Sequence, residues 1–184
     1  VGVEHGAVRV TDRADGSVSN LRAGDSTRWP HPLAVAAEAD TYVVGAEPSS
    51  AHGDESVLQI SAEADRTAPQ RIAFIRFTVP SAPTRAVLHL RVVAAGDGGH
   101  VSLAAGTPWD EHHVNFYHVP AFAYPLAIFG PAAVGDDVAV DISAIIRQAG
   151  TVTLAVTSAV GGMSFASRET SDGPTLTITS GASP

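Results

Sequence analysis

The run from Arg71 to Val93, RIAFIRFTVPSAPTRAVLHLRVV, constrains the fold of this chain more than any other stretch. Two apolar segments flank Pro80, Ser81 and Pro83, and that punctuation, with the Ile, Phe and Val content, predicts two long strands rather than a helix. In the first segment Ile72, Phe74 and Arg76 share one face, while Ala73, Ile75, Phe77 and Val79 share the other. A strand apolar on nearly both sides belongs inside a sheet. In the second, Ala86, Leu88, Leu90 and Val92 alternate with Val87, His89, Arg91 and Val93, so the polar members can face water. The two segments predict the centre of an all-β core.

The rest of the chain keeps the same grammar. GAVRV, SVSNL and the turn material at Asp12, Asp15 and Gly16 predict a β arm or hairpin within residues 1–32, with Trp29, Pro30, His31 and Pro32 as the linker out of it. From Leu33, LAVAAEADTYVV predicts a strand pair broken near Glu38, EPSSAHGDES a surface loop, and VLQISAE the next strand, followed by the polar ADRTAPQ. GDGG predicts a tight turn into HVSLAAGT, and PWDEHHVNFYHVPAFAYPLAIFGPAA a long excursion of loop and short strands. DVAVDIS points Val138, Val140 and Ile142 inward, and AIIRQAG predicts a helical turn stopped by Gly150. TVTLAVTSA, MSFASRE and PTLTITS supply the last strands. Strands at this spacing with Gly and Pro turns predict a β-sandwich of jelly-roll type over residues 33–180.

Charge and chemistry narrow the function. All eleven basic residues are Arg, and against 19 acids they leave a net charge of −8, which disfavours nucleic acid or an anionic membrane surface as partner. No apolar run approaches membrane-spanning length, and there is no cysteine for a disulfide or thiolate site. The chain offers no Gly-x-Ser-x-Gly elbow, no His-Glu-x-x-His and no Gly-rich phosphate loop, so no catalytic role is expected. Asp110 and Glu111 are adjacent and would point to opposite faces of a strand. In EHHVNFYH, His113 could share a face with Glu111 or Asn115, which leaves a zinc site open beside the solvated-loop reading.

Several segments carry a family resemblance. ADTYVV from Ala39, R-x-A-F-I-R-F from Arg71, AVLHLRV from Ala86, PWDEHHVNFYHVP, VAVDIS, TVTLAVTS and FASRETSDGPTLTI occur in the order seen in DNRLRE domains, grouped with the alginate-binding carbohydrate-binding module family 96. The likeness runs from about Ala37 to Thr179. The family's Trp-x-Glu-x-x-Val-Thr-Trp-x-Asn-x-Pro motif is met by Trp109, Glu111, Val114 and Pro120, with Asn115, Phe116 and His118 at the positions that differ. Its closing Ser-Arg-Glu and Pro-x-Leu are met by Ser167, Arg168, Glu169, Pro174 and Leu176. The Asn-Tyr-Gly loop of the family is replaced by EPSSAHGDES. The segment VEHGAVRVTDRADGSVSNLRAGDSTRW resembles the C-terminal strands of FecR-type domains, which lie on the outer side of cytoplasmic membranes.

The resemblance implies a non-catalytic extracellular or cell-surface module that binds a polysaccharide, an acidic one such as alginate among the candidates. Sugar binding asks for an aromatic platform and a few polar side chains. Trp109, Tyr117, Phe122 and Tyr124 are close in sequence and Tyr42 is a further candidate, although Trp109 and Phe116 also qualify as core plugs. Tyr117 should face away from Phe116, and His118 adds a polar group beside it. Arg168, opposite in parity to Met163 and Phe165, is the arginine expected to meet an acidic polymer, ahead of Arg91 and Arg71. Glu169 falls by period two on the face of Met163 and Phe165, so it is expected to pair with Arg76. The competing expectation is a calcium ion held by Asp40, Glu38 and Glu169, with Asp136, Asp137 and Asp141 as further oxygen donors. A different class of function is also open: a structural or adhesive subunit whose arm at 1–32 adds as a strand to a neighbouring copy.

Overall fold

The computed structural model describes residues 6–11, 18–23, 32–62, 70–105, 108–158 and 160–180. The turn at Asp12, Asp15 and Gly16, the linker residues Trp29 to His31 and the polar loop at 63–69 lie outside these residues. Every regular element among the described residues is a strand. β1 (Ala7–Thr11) and β2 (Val18–Arg22) pair antiparallel, with Ala7 opposite Arg22, where GAVRV and SVSNL predict a hairpin.

The remaining strands form two packed layers. One contains β3 (Leu33–Ala36), β13 (Thr175–Thr179), β7 (Arg85–Ala94) and β10 (Asp137–Asp141), in that order across the layer. The other contains β4 (Ala39–Val44), β6 (Arg71–Val79), β11 (Gly150–Thr157), β8 (Gly99–Ala104) and β9 (Ala127–Phe129). β5 (Val57–Ser61) meets β6 at Ser61 and Arg71, and β12 (Gly162–Ala166) pairs with β5 along one edge and with the end of β7 along the other, where the register shifts between Ser164 and Phe165. This seam closes one side of an antiparallel β-sandwich.

The two long central strands sit in opposite layers. β6 pairs with β4 and β11, and β7 with β13 and β10, so Pro80 to Thr84 carries the chain across the sandwich rather than around a hairpin. The alternation of β7 holds: Ala86, Leu88, Leu90 and Val92 are buried between the layers with Val138, Val140 and Ile142, against Ile75, Phe77, Leu154 and Val156. Each such large side chain contributes about 1.5–3 kcal/mol on leaving water. Gly98, with a φ of 100°, makes the turn into β8; a Cβ there would lie 2.3 Å from the Phe129 carbonyl oxygen. The helical turn predicted at AIIRQAG is a single turn in which Ile145 and Ile146 N–H both donate to Ile142 O, and Gly150 opens β11.

β6 is buried on both faces, as its composition predicts. Val43, Ile72, Phe74, Ala104 and Ala155 form a second apolar cluster on the outer side of its layer. The excursion after β8 covers them with Val114, Trp109, Phe116 and Val119. That lid of irregular chain creates the candidate site.

Candidate functional site

Trp109 opens the excursion and is fixed from three directions. Its indole Nε1 donates to Thr153 Oγ1 at 3.0 Å, its carbonyl accepts from the Arg76 guanidinium at 2.6 Å, and the same guanidinium lies 4.9 Å from its ring centroid. Arg76 Nε is in turn 3.9 Å from Glu38 Oε2. The next turn begins at Asp110, whose side chain accepts the His112 N–H at 2.9 Å and whose carbonyl accepts the N–H groups of His113 and Val114. The backbone bond from His112 holds the Asp110 carboxyl below its usual range.

This turn aims Glu111 inward, where it joins two distant segments. Glu111 Oε2 accepts the Asp40 backbone N–H at 3.1 Å, and Oε1 accepts from Arg168 at 3.1 Å. Asp40 Oδ2 accepts the Arg168 backbone N–H at 2.8 Å, and the Arg168 side chain also reaches Glu169 Oε1 at 3.2 Å. Ser167 Oγ donates to Glu55 O at 2.6 Å, which ties in the loop after β4. Gly53 of that loop sits against the excursion so closely that a Cβ would lie 2.4 Å from Glu111 O. The residues that carry the Trp-x-Glu and Ser-Arg-Glu motifs therefore meet in one polar clamp. Its geometry fastens chain segments together.

Asp40 is the strained member. Burial pushes its carboxyl up to about 7, the neighbouring Glu111 adds to the rise, and the Arg168 N–H and guanidinium oppose it. The native state then holds a proton that the unfolded chain releases near its ordinary value of 3.8, so Asp40 costs stability progressively as pH rises from about 4 to about 7. Asp40→Asn is predicted to match the wild type in urea melts at pH 4 and to exceed it by ~2–4 kcal/mol at pH 8. A variant less stable than wild type at pH 8 would refute this assignment.

Several expected site residues take other roles. Tyr42 is 4% exposed: its ring stacks on His52 at 4.4 Å, and its hydroxyl donates to Glu55 Oε2 at 2.6 Å and accepts from Gln59 at 3.1 Å, so no face is left for a sugar. Burial and the bond to Glu55 raise the Tyr42 hydroxyl far above its usual range. The expected Arg76–Glu169 pair gives way to Arg76 with Trp109 and Glu38, and Glu169 with Arg168. β12 ends at Ala166 and a turn follows, so parity carried from Met163 and Phe165 no longer applies at Glu169. The acids nominated for calcium do not converge: Glu38 faces Arg76, Asp40 accepts the Arg168 N–H, and Glu169 faces the Arg168 side chain. Among the described residues there is no group of three or more His, Asp or Glu side chains placed to hold a metal, and His112 and His113 lie beside Asp54 and Asp110 respectively. Glu111 is the partner the parity argument missed; the complementary charges of the two family motifs were the available signal.

The outer surface of the excursion is different. Asn115 Oδ1 accepts the Tyr117 N–H and lies 3.1 Å from His118 Nδ1, and Asn115 O accepts the His118 N–H. This small turn holds Phe116 against the second cluster while Tyr117 stands 70% exposed and His118 exposed beside it. Trp109 is a core plug, Phe122 packs edge-on to Phe74 at 6.0 Å, and Tyr124 is 89% exposed. The excursion thus carries two aromatic rings that the core does not use.

Comparison with curated proteins finds no significant match. The model of carbohydrate-binding module family 96 matches residues 32–180, most of the chain. The all-β sandwich, the lid laid over its outer face and the clamp built from both motifs accompany that match, and the chain belongs to carbohydrate-binding module family 96.

Proposed function

We propose that this chain is a non-catalytic, extracellular polysaccharide-binding module whose glycan lies on the outer surface of the excursion. The observation that carries this reading is Tyr117, a large ring held out of the core by the Asn115 turn, with His118 alongside to hydrogen-bond hydroxyls. A sugar ring buried against Tyr117 leaves water on its apolar side and keeps hydroxyls free for polar groups, the division of labour that small-ligand sites use. Arg168 is not the ligand arginine in this reading, because Glu111 and Glu169 already occupy it. Glu38, Asp40 and Glu169 are given no metal in it, since they are engaged with Arg76 or with the side chain or backbone of Arg168.

The test is a polysaccharide array that includes alginate, probed with the full chain in calcium and in chelator. Binding to at least one polysaccharide, reduced about 10-fold or more by Tyr117→Ala, is expected. Absence of any binding, or binding indifferent to Tyr117, would overturn the proposal.

A second reading rests on the β1–β2 hairpin, in which Ala7, Val8 and Arg9 are exposed. In it, the chain is an adhesive or filament subunit that assembles through residues 1–32 by strand addition. Light scattering of the full chain against a chain lacking those residues separates the two: assembly that disappears on deletion supports the second, and a monomer at all concentrations removes it.

A further inference from the structure

The opposite outer surface of the sandwich, the solvent side of β13, β7 and β10, carries a polar groove of about 270 Å³ lined by His89, Arg91, Asp137, Asp172, Thr175 and Thr177. We infer that this groove is a second sugar site, specific for an uncharged residue of a glycan. The inference rests on the carbohydrate-binding reading but on a different face of the molecule. Its floor follows from the cross-strand register. His89 lies between Thr175 on β13 and Ala139 on β10, so both neighbours are short and the strand surface is open on either side of the ring. The volume lies below the ~300–1,000 Å³ of pockets that enclose a drug-sized ligand, which fits one unit of a chain lying across the surface.

The charges decide the class of sugar. His89 Nδ1 is 3.0 Å from Asp137 Oδ2, although Asp137 is the cross-strand neighbour of Arg91. Arg91 donates instead to the Gly135 carbonyl, and among the described residues no carboxylate lies within ion-pair distance of it. The groove therefore presents a guanidinium with free donors beside Asp137 and Asp172 with free acceptor capacity, and threonine hydroxyls that do both. With two carboxylates against one arginine and one histidine, its net charge is zero or negative at neutral pH, so a uronate carboxylate gains little on Arg91 and is repelled by Asp172. Hydroxyls, which donate and accept, satisfy all three kinds of group at once.

Amide chemical-shift titrations of the full chain test this with four probes: neutral hexaoses of glucose, mannose and xylose, and a hexamer of mannuronate. Saturable shifts at His89, Arg91, Asp137 and Thr175 with at least one neutral hexaose are expected, with apparent affinity at least 10-fold weaker for the mannuronate. Asp172→Asn together with Arg91→Ala should abolish the shifts in protein that thermal melts show to be folded, whereas Tyr117→Ala should leave them in place even where it removes binding at the excursion. Absence of saturable shifts with every neutral hexaose, a preference for mannuronate, or loss of the groove shifts in Tyr117→Ala would each overturn the inference. Groove shifts that persist while the polysaccharide array responds to no Tyr117 substitution would sustain this site and remove the proposed one.

Discussion

Arg168→Ala is expected to lower the stability of the fold by about 3 kcal/mol at pH 7, a fall of about 1 M or more in the urea midpoint. The guanidinium reaches Glu111, whose side chain is 13% exposed, at 3.1 Å, and its backbone N–H donates to the buried Asp40. Removing it leaves the Glu111 and Asp40 carboxylates as neighbours with one backbone N–H each, from Asp40 and Arg168 respectively, as their main compensation. Breaking a fully buried ion pair costs ~3–5 kcal/mol, and the 31% exposure of the Arg168 side chain argues for the lower end. Arg168→Lys should restore part of the loss, since an ammonium replaces the charge while the shorter lysine reaches Glu111 and Glu169, both met by Nη1 of Arg168, less well. The pH dependence offers an internal check. The loss should be smaller at pH 5, where Asp40 is protonated, than at pH 8, where it is not. A change below about 0.5 kcal/mol at pH 8 would mean that the clamp contributes no more than a surface ion pair.

Phe74→Ala is expected to be still more damaging, at about 3–5 kcal/mol. Phe74 is fully buried on the outer side of β6, where Ile72, Val43 and Ala155 surround it and the excursion closes over it. The cavity would open beneath the lid, and Phe122 would lose its edge-on partner at 6.0 Å. Because the Asn115 turn is anchored through Val114 and Phe116 to the same cluster, the loss should extend to function: weaker glycan binding and faster amide exchange at residues 114–119 in protein that remains folded. Phe74→Leu keeps most of the volume and should retain both. Native-like exchange across that segment in a folded Phe74→Ala protein would show that the lid does not depend on this ring.

Much of the architecture was readable in the sequence because period two is a local property. The inward sets of β7 and β10 follow from alternation alone, and the two-sided burial of β6 from its lack of a polar face. Partnering was not readable. Arg71 to Val93 reads as two strands around a turn, but whether that turn returns along the same sheet or crosses to the other depends on β11 and β13, some 60–100 residues away. The site was partly legible for the same reason. Tyr117 opposite Phe116 follows from local geometry, even though a turn rather than a strand supplies it. Parity does not carry Glu169 to Arg76 because β12 ends at Ala166, and nothing local to Tyr42 reveals the loop carrying His52 and Glu55 that covers its ring.

Two jobs fall to one motif region: Glu111 and Arg168 fasten the excursion, and in the proposed function Tyr117 meets the glycan. Calorimetric titration of the best-binding polysaccharide from the array into wild type, Tyr117→Ala and Arg168→Lys, each at a temperature where thermal melts show it folded, tests that division most directly. The predicted result is affinity reduced about 10-fold or more in Tyr117→Ala with an unchanged melting midpoint, and near-wild-type affinity in Arg168→Lys with a lowered midpoint. The reverse pattern, with affinity lost through Arg168 and untouched by Tyr117, would place the ligand at the clamp and contradict the account.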